Sequence, residues 1–292
     1  MTTSVTSAGR LAAWQAGGER LDVVGARVWT RTLGPARDAT PVLVLHGFPT
    51  CSYDARRVAE ALPERRFVLF DFVGYGLSDK PPEHGYSLFE QADVACQVVR
   101  HHGLSRVHVW AHDMGTSVAT ELLARRARGL LPFELASLVL SNGSVVVELA
   151  HLTPSQRVLR TRLGPLFARL SNEATFRAQL ARIVGVPLEE GELADAWQLL
   201  VRDDGHLRLP RIIRYLEERT RFRTRWLPAL DQPDLRMLIA WGEKDTVAVT
   251  AIADELARLA PHAERARWPT LGHYPQLEDP AQVAATLDAF WR

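Results

Sequence analysis

Short apolar runs ending in small or acidic residues recur along the first half of this chain, and stretches of helical period separate them. After a polar start, LDVVGARVWTRT (Leu21 to Thr32) reads as two strands broken at Gly25, the pattern of a hairpin at the edge of a sheet. PVLVLHG (Pro41 to Gly47) is continuously apolar, as a strand buried on both faces requires, and this implies a parallel sheet. The alternation continues with a helix from Tyr53 to Leu62, a strand from Arg66 to Gly74, a helix from Leu88 to His102, a strand from Arg106 to Asp113 and a helix from Gly115 to Arg128. A strand from Leu135 to Gly143 follows. Strands alternating with helices predict an α/β fold, a mostly parallel, doubly wound sheet with right-handed crossovers.

The rhythm then fails from about Val145 to Leu230, an Arg-rich segment of helical period with no clear strand. It resumes with RMLIAWGEKD (Arg236 to Asp245), a helix from Ala251 to Ala260, the strand ERARWP (Glu264 to Pro269), the turn TLGHYP and a closing helix from Pro280 to Trp291. The expected organisation is one core domain, residues 1–144 and 231–292, carrying residues 145–230 as an inserted helical cap.

Composition narrows the function classes. The 292 residues hold 47% hydrophobic and 24% charged side chains, enough apolar material for a sizeable core. The 35 basic and 34 acidic residues give a formal charge of +1, so no global field draws the chain to nucleic acid or anionic lipid. No apolar run of signal-peptide or membrane-spanning length occurs, and a cytoplasmic protein, monomeric or homodimeric, is expected. Cys51 and Cys96 lack metal-type spacing and read as buried free thiols. His101, His102 and His108 have no matching acidic cluster in the sequence, so neither a metal nor another cofactor is expected.

Candidate chemistry lies in Ala111-His112-Asp113-Met114-Gly115, between an apolar strand and a helix. Small residues two positions to either side of Asp113 fit a strained strand-turn-helix elbow that lifts one side chain above the sheet. The helix N-terminus would keep that carboxylate ionised. An alternative is that Asp113 merely caps the helix. An acid after a later strand and then a late histidine complete the order nucleophile, acid, histidine. Asp245 ends the strand MLIAWG at the carboxyl edge, with Glu243 and Glu148 as rivals, and His273 lies in the loop after the last strand. His46-Gly47-Phe48-Pro49 closes the first long buried strand, placing the backbone N–H groups of Phe48 and Met114 as an oxyanion hole and allowing a cis bond before Pro49. Around these, His46, Pro49, His112, Trp197 and Trp226 are candidate pocket residues, although aromatic residues at helical spacing are more often packing.

At these residues the chain resembles the α/β-hydrolase superfamily, in the branch of epoxide hydrolases and haloalkane dehalogenases, and it is closest in wording to the mesoderm-specific transcript proteins. The likeness spans LHGFPTCSYD (Leu45 to Asp54), DFVGYGLSDKP (Asp71 to Pro81), YSLFEQAD (Tyr86 to Asp93), AHDMG, LVLSNG (Leu138 to Gly143), RFRTRW (Arg221 to Trp226) and HYPQLEDP (His273 to Pro280). The resemblance implies an α/β-hydrolase fold with a helical cap, Asp113 as nucleophile, His273 as base, Asp245 as its orienter, and Phe48 and Met114 as oxyanion donors. Two departures stand out. Haloalkane dehalogenases of this branch place Trp after the nucleophile to hold the halide, whereas Met114 has no side-chain N–H. Epoxide hydrolases offer two cap tyrosines, yet Tyr215 is the sole Tyr between Val145 and Leu230, so either one donor suffices or His151, Trp197 or a water shares its task.

A carboxylate in the elbow suits displacement at a saturated carbon through an alkyl-enzyme ester. The expected function is therefore hydrolysis of small apolar epoxides by Asp113, His273, Asp245 and Tyr215. Alternatives are a haloalkane or haloacid dehalogenase, a non-catalytic ligand-binding protein on the same fold, and a lyase that uses the carboxylate only as a base.

Overall fold

The computed structural model describes residues 6–23 and 25–292. Eight strands form one sheet: β1 (Glu19–Val23), β2 (Ala26–Leu33), β3 (Val42–Leu45), β4 (Phe67–Phe70), β5 (Arg106–His112), β6 (Glu134–Ser141), β7 (Arg236–Gly242) and β8 (Glu264–Trp268), in the order β1-β2-β4-β3-β5-β6-β7-β8. β2 pairs antiparallel with β1 and β4, and every other pairing is parallel. The unbroken apolar runs of β3 and β4 are wholly buried, as strands covered on both faces must be, whereas β1 alternates. The expected strand from Arg66 to Gly74 stops at Phe70, because Asp71 leaves the ladder to accept hydrogen bonds from Ser52 N (2.9 Å) and Leu77 N (2.7 Å).

The polar start holds a helix that the hydrophobic pattern did not announce, α1 (Ser7–Ala16). Its single fully buried side chain, Trp14, packs against Trp29 and Tyr53, with ring centroids 5.2 and 5.1 Å apart, and Arg10 pairs with buried Asp195 at 2.8 Å. Tertiary partners, and not an amphipathic stripe, hold it in place. The crossover helices of the first half are α2 (Arg56–Glu60), α3 (Leu88–His101) and α4 (Met114–Arg126). Between β6 and β7 lie only helices and turns: α5 (Pro154–Leu159), α6 (Gly164–Leu170), α7 (Glu173–Leu180), α8 (Glu190–Val201), α9 (Leu209–Ile212), α10 (Tyr215–Arg221) and α11 (Arg223–Trp226). The chain closes with α12 (Thr250–Leu259), α13 (Pro275–Glu278) and α14 (Pro280–Trp291), the last capped by Asp279 accepting from Gln282 N at 2.9 Å.

Among the described residues no helix is long and apolar enough to cross a membrane. Cys51 and Cys96 are buried free thiols.

Candidate functional site

Four loops leave the carboxyl ends of β3, β5, β7 and β8, where open parallel sheets build their sites, and they bring Phe48, Asp113, Asp245 and His273 together. Asp113 follows β5 directly and takes φ 46°, ψ −114°, a conformation that an L-residue adopts only when its surroundings impose it. The imposition is steric. A Cβ at Gly115 would stand 2.1 Å from the Leu45 carbonyl oxygen, and one at Gly47 would stand 2.7 Å from the Asp113 Cβ, so both glycines are needed for the strand and turn to approach this closely.

Although Asp113 occupies the cap position of α4, its carboxylate makes no capping bond. Oδ2 instead accepts the Phe48 N–H at 2.8 Å, and Oδ1 faces His273 Nε2 at 3.9 Å, too far for a hydrogen bond. The other nitrogen of His273, Nδ1, lies 2.7 Å from Asp245 Oδ2. Asp245 is itself fixed by the N–H groups of Val247 (2.7 Å) and Ala248 (2.9 Å) and by the Asn142 amide (2.9 Å). The rivals for its place lie elsewhere: Glu243 is exposed, and Glu148 pairs with Arg223 at 3.4 Å. Burial opposes charge on His273, but Asp245 and Asp113 outweigh it and raise the imidazole to about 9. Burial likewise opposes the charge on Asp245, which its hydrogen bonds and His273 nevertheless hold below the usual carboxylate range.

Tyr215 is buried, its ring 5.8 Å from that of Phe48, and among the described residues its hydroxyl has no protein hydrogen-bond partner. Burial and the charge of Asp113 push its pKa up, so the phenol holds its proton firmly. The peptide bond between Phe48 and Pro49 is cis.

A narrow cavity of about 70 Å³ meets this cluster at Phe48, His273 and Tyr274 and is otherwise lined by residues of the helical segment, including Trp197, Phe167 and Leu180, with Pro49 and Val247 on the core side. Asp113 and Tyr215 are not in its wall. Three expected pocket residues also lie outside it. Trp226 turns inward, donating its indole N–H to buried Glu121 (2.9 Å), which also binds Arg225 (2.7 Å) and Arg125 (2.9 Å); the RFRTRW tract thus clamps the helical segment onto α4. His46 packs beneath, its Nε2 accepting from Phe72 N at 2.9 Å, and His112 Nε2 donates to the His273 carbonyl at 2.7 Å. Burial, followed by the neighbouring His273, lowers His112 to about 4, which keeps it neutral and in that role.

Three groups were not found by sequence reasoning. Arg219 is fully buried, with Nε donating to Ser117 Oγ (2.7 Å), Nη2 reaching the Asp113 carbonyl (3.5 Å) and its guanidinium 4.6 Å from the Tyr215 ring centroid. One oxygen of Glu278 accepts the N–H groups of Gly185, Val186 and Gly272, and the other that of Tyr274, tying the His273 loop to the helical segment. Tyr274 donates its hydroxyl to the Phe48 carbonyl at 3.1 Å. Nothing in hydrophobic period or local motif signals these pairings; an Arg embedded in a buried helix face was the only available hint. The sequence also showed no acid for His101 and His102, yet the fold sets Glu19 of β1 beside them with ligand atoms within 4.8 Å, although His102 Nε2 is already engaged with Thr30 Oγ1 at 3.0 Å.

Comparison with known proteins fits this geometry. The family described as alpha/beta hydrolase fold matches residues 40–280. The putative hydrolase LipZ of Mycobacterium tuberculosis is 45% identical over 274 residues, covering 93% of this chain and 94% of LipZ. The mesoderm-specific transcript protein of Mus musculus is 34% identical over 282 residues, covering 92% and 84%. Among solved structures, haloalkane dehalogenase DbeA from Bradyrhizobium elkani superposes with a TM-score of 0.75 at 25% identity, covering 94% of this chain and 98% of that one. With a mostly parallel eight-stranded sheet, an acute turn after β5 and a match over most of its length, this chain belongs to the alpha/beta hydrolase fold family.

Proposed function

We propose that this chain hydrolyses small apolar epoxides through an ester formed on Asp113, with residues 145–230 acting as a cap over the site. The observation that carries the reading is the division of labour within one carboxylate. Oδ2 is held by the Phe48 N–H while Oδ1 faces His273 without a hydrogen bond, which leaves a lone pair free to attack.

In the first step Asp113 Oδ1 bonds to a ring carbon, the carbon–oxygen bond of the epoxide breaks, and the alkoxide takes the Tyr215 hydroxyl proton. The nearby Arg219 guanidinium offsets the phenolate charge. In the second step His273 Nε2 removes a proton from water, and the resulting hydroxide adds to the Asp113 ester carbonyl. The oxyanion forms on the oxygen beside the Phe48 N–H, with the Met114 N–H at the start of α4 as second donor. Collapse releases a diol and restores the carboxylate, and the imidazolium proton returns to Tyr215.

The same residues explain how His273 works as a base although it is raised to about 9 in the resting protein. Ester formation removes the negative charge of Asp113, one of the groups that hold the imidazole protonated, so the pKa falls when a base is needed.

A dehalogenase requires N–H donors for the departing halide. The Trp110 indole is engaged with Ser141 Oγ at 3.3 Å, Trp226 with Glu121, and the Met114 side chain offers none, which argues against that reading. A non-catalytic ligand-binding role has one observation in its favour, the cavity wall that ends at Phe48 and His273 short of Asp113.

The test is His273→Gln, incubated with a panel of epoxides and haloalkanes and read by intact mass. Our reading expects a stable adduct equal to the mass of the whole epoxide, mapped to Asp113 by peptide digestion. An adduct from haloalkanes alone, with halide released, would transfer the chain to the dehalogenases. If no adduct forms and the unmodified protein turns over no member of the panel, the binding role replaces it.

A further inference from the structure

Four large apolar side chains are strongly exposed among the described residues, and three of them lie together: Leu163 (65%), Leu166 (56%) and Leu170 (68%). Leu163 is the cap residue of α6 and the other two belong to the helix, so the spacing i, i+3, i+7 places them on one face. On the same helix Phe167 lines both the narrow cavity and an adjoining recess of about 380 Å³ that also contains Thr153, Ser155, Gln179 and Ile183. Thus α6 forms part of the cavity mouth and presents leucines to solvent beside it.

Charge along this stretch of the chain is one-sided, while the exposed Asp203 and Asp204 lie on the turn that packs against α6. Residues 149–172 contain Arg157, Arg160, Arg162 and Arg169 but no Asp or Glu, in a chain whose formal charge is only +1. All four arginines are exposed, and none pairs with a carboxylate among the described residues. A leucine face on a chain segment whose only charges are unpaired arginines matches an anionic phospholipid surface, where the leucines enter the acyl boundary and the arginines meet phosphates. A second copy of this chain would have to bring acidic groups to satisfy the same arginines.

We propose that α6 docks on anionic phospholipid membranes and turns the cavity mouth toward the bilayer, so that apolar substrate enters from the lipid phase. The docking rests on the surface alone; delivery of a lipid-phase epoxide rests on the hydrolase reading above. The test is co-sedimentation of the full chain with vesicles of phosphatidylcholine, alone or mixed with phosphatidylglycerol. Binding is expected to the mixed vesicles, well above that to phosphatidylcholine. The variant Leu163→Ser/Leu166→Ser/Leu170→Ser should bind at least ~100-fold more weakly, since each leucine withdraws apolar area from water on insertion. Arg157→Gln/Arg162→Gln should lose ~10-fold or more. Neither variant should change thermal stability or adduct formation from a water-soluble epoxide in the His273→Gln background. Absence of binding to the mixed vesicles, or equal binding by the leucine variant, overturns the proposal. So does a concentration-dependent dimer that the leucine variant dissolves while vesicles capture neither protein. Loss of adduct chemistry with retained vesicle binding would instead remove the hydrolase reading and leave the docking standing.

Discussion

His273 stands between two carboxylates, and its protonation reports on both. Because its folded-state pKa of about 9 lies above the ordinary 6.5, its contribution to stability is fully present below 6.5 and is lost as pH rises through 9. The shift corresponds to on the order of 3 kcal/mol. Replacing Asp113 by Asn removes one of the raising charges and should lower the imidazole pKa, as read by NMR titration, while Asp245 keeps it above its ordinary value. The same variant should form no adduct with epoxides. An unchanged titration would show that Asp113 does not act on the ring in solution, and the role given to ester formation in releasing the base would fall with it. At this scale the order of Asp113, Asp245 and His273 was legible in the sequence, because Asp113 and Asp245 each follow an apolar strand and His273 lies in the loop after the last strand. Arg219 and the tie of Glu278 to Gly185 and Val186 were not, since those partners lie 92 to 106 residues away along the chain.

The turn between β5 and α4 depends on side chains that are missing. Gly115→Ala would drive a methyl group to 2.1 Å from the Leu45 carbonyl oxygen, a backbone atom that cannot rotate away. The expected cost is on the order of 3 kcal/mol, measured as a lowered urea midpoint, and the adduct rate should fall with it because the backbone of Leu45 and His46 that must shift leads directly into Phe48. Full stability in this variant would mean that the close approach of β3 to α4 is looser than described. Strand and helix identities at this scale followed from periodicity, with shifts of a few residues at the ends. The helix α1 and the short α13 escaped, the first because only Trp14 of its ten residues is fully buried and the second because four residues show no period. Between β6 and β7 the described residues form seven α-helices, most of four to eight residues, which the period of the sequence did not separate.

At the scale of the whole molecule, a net charge of +1 conceals a local excess of arginine over residues 149–172, the stretch that includes α6. Association with anionic vesicles should therefore weaken steeply as salt is raised, an effect that a neutral chain bound only by its leucines would not show. Salt-independent binding would assign the attraction to apolar area alone and remove the arginines from it. The sheet order, with β2 antiparallel against β4 at one side and parallel strands to the other, places all four site loops at one edge. That edge is where open parallel sheets build their sites, and helices between β6 and β7 supply most of the cavity wall beside it.

Taken by itself, the sequence determined the alternation of elements, the parallel sheet and the chain order of the candidate acid, base and carboxylate, because apolar period, glycine placement and strand ends are local properties. Only the tertiary structure decided that Trp197 faces the cavity while Trp226 binds Glu121, that Glu19 meets His101, and that Arg219 reaches under Asp113. Those outcomes depend on how helices cross one another and the sheet, and a crossing is fixed by the packing of both surfaces at once, which no single stretch of sequence carries.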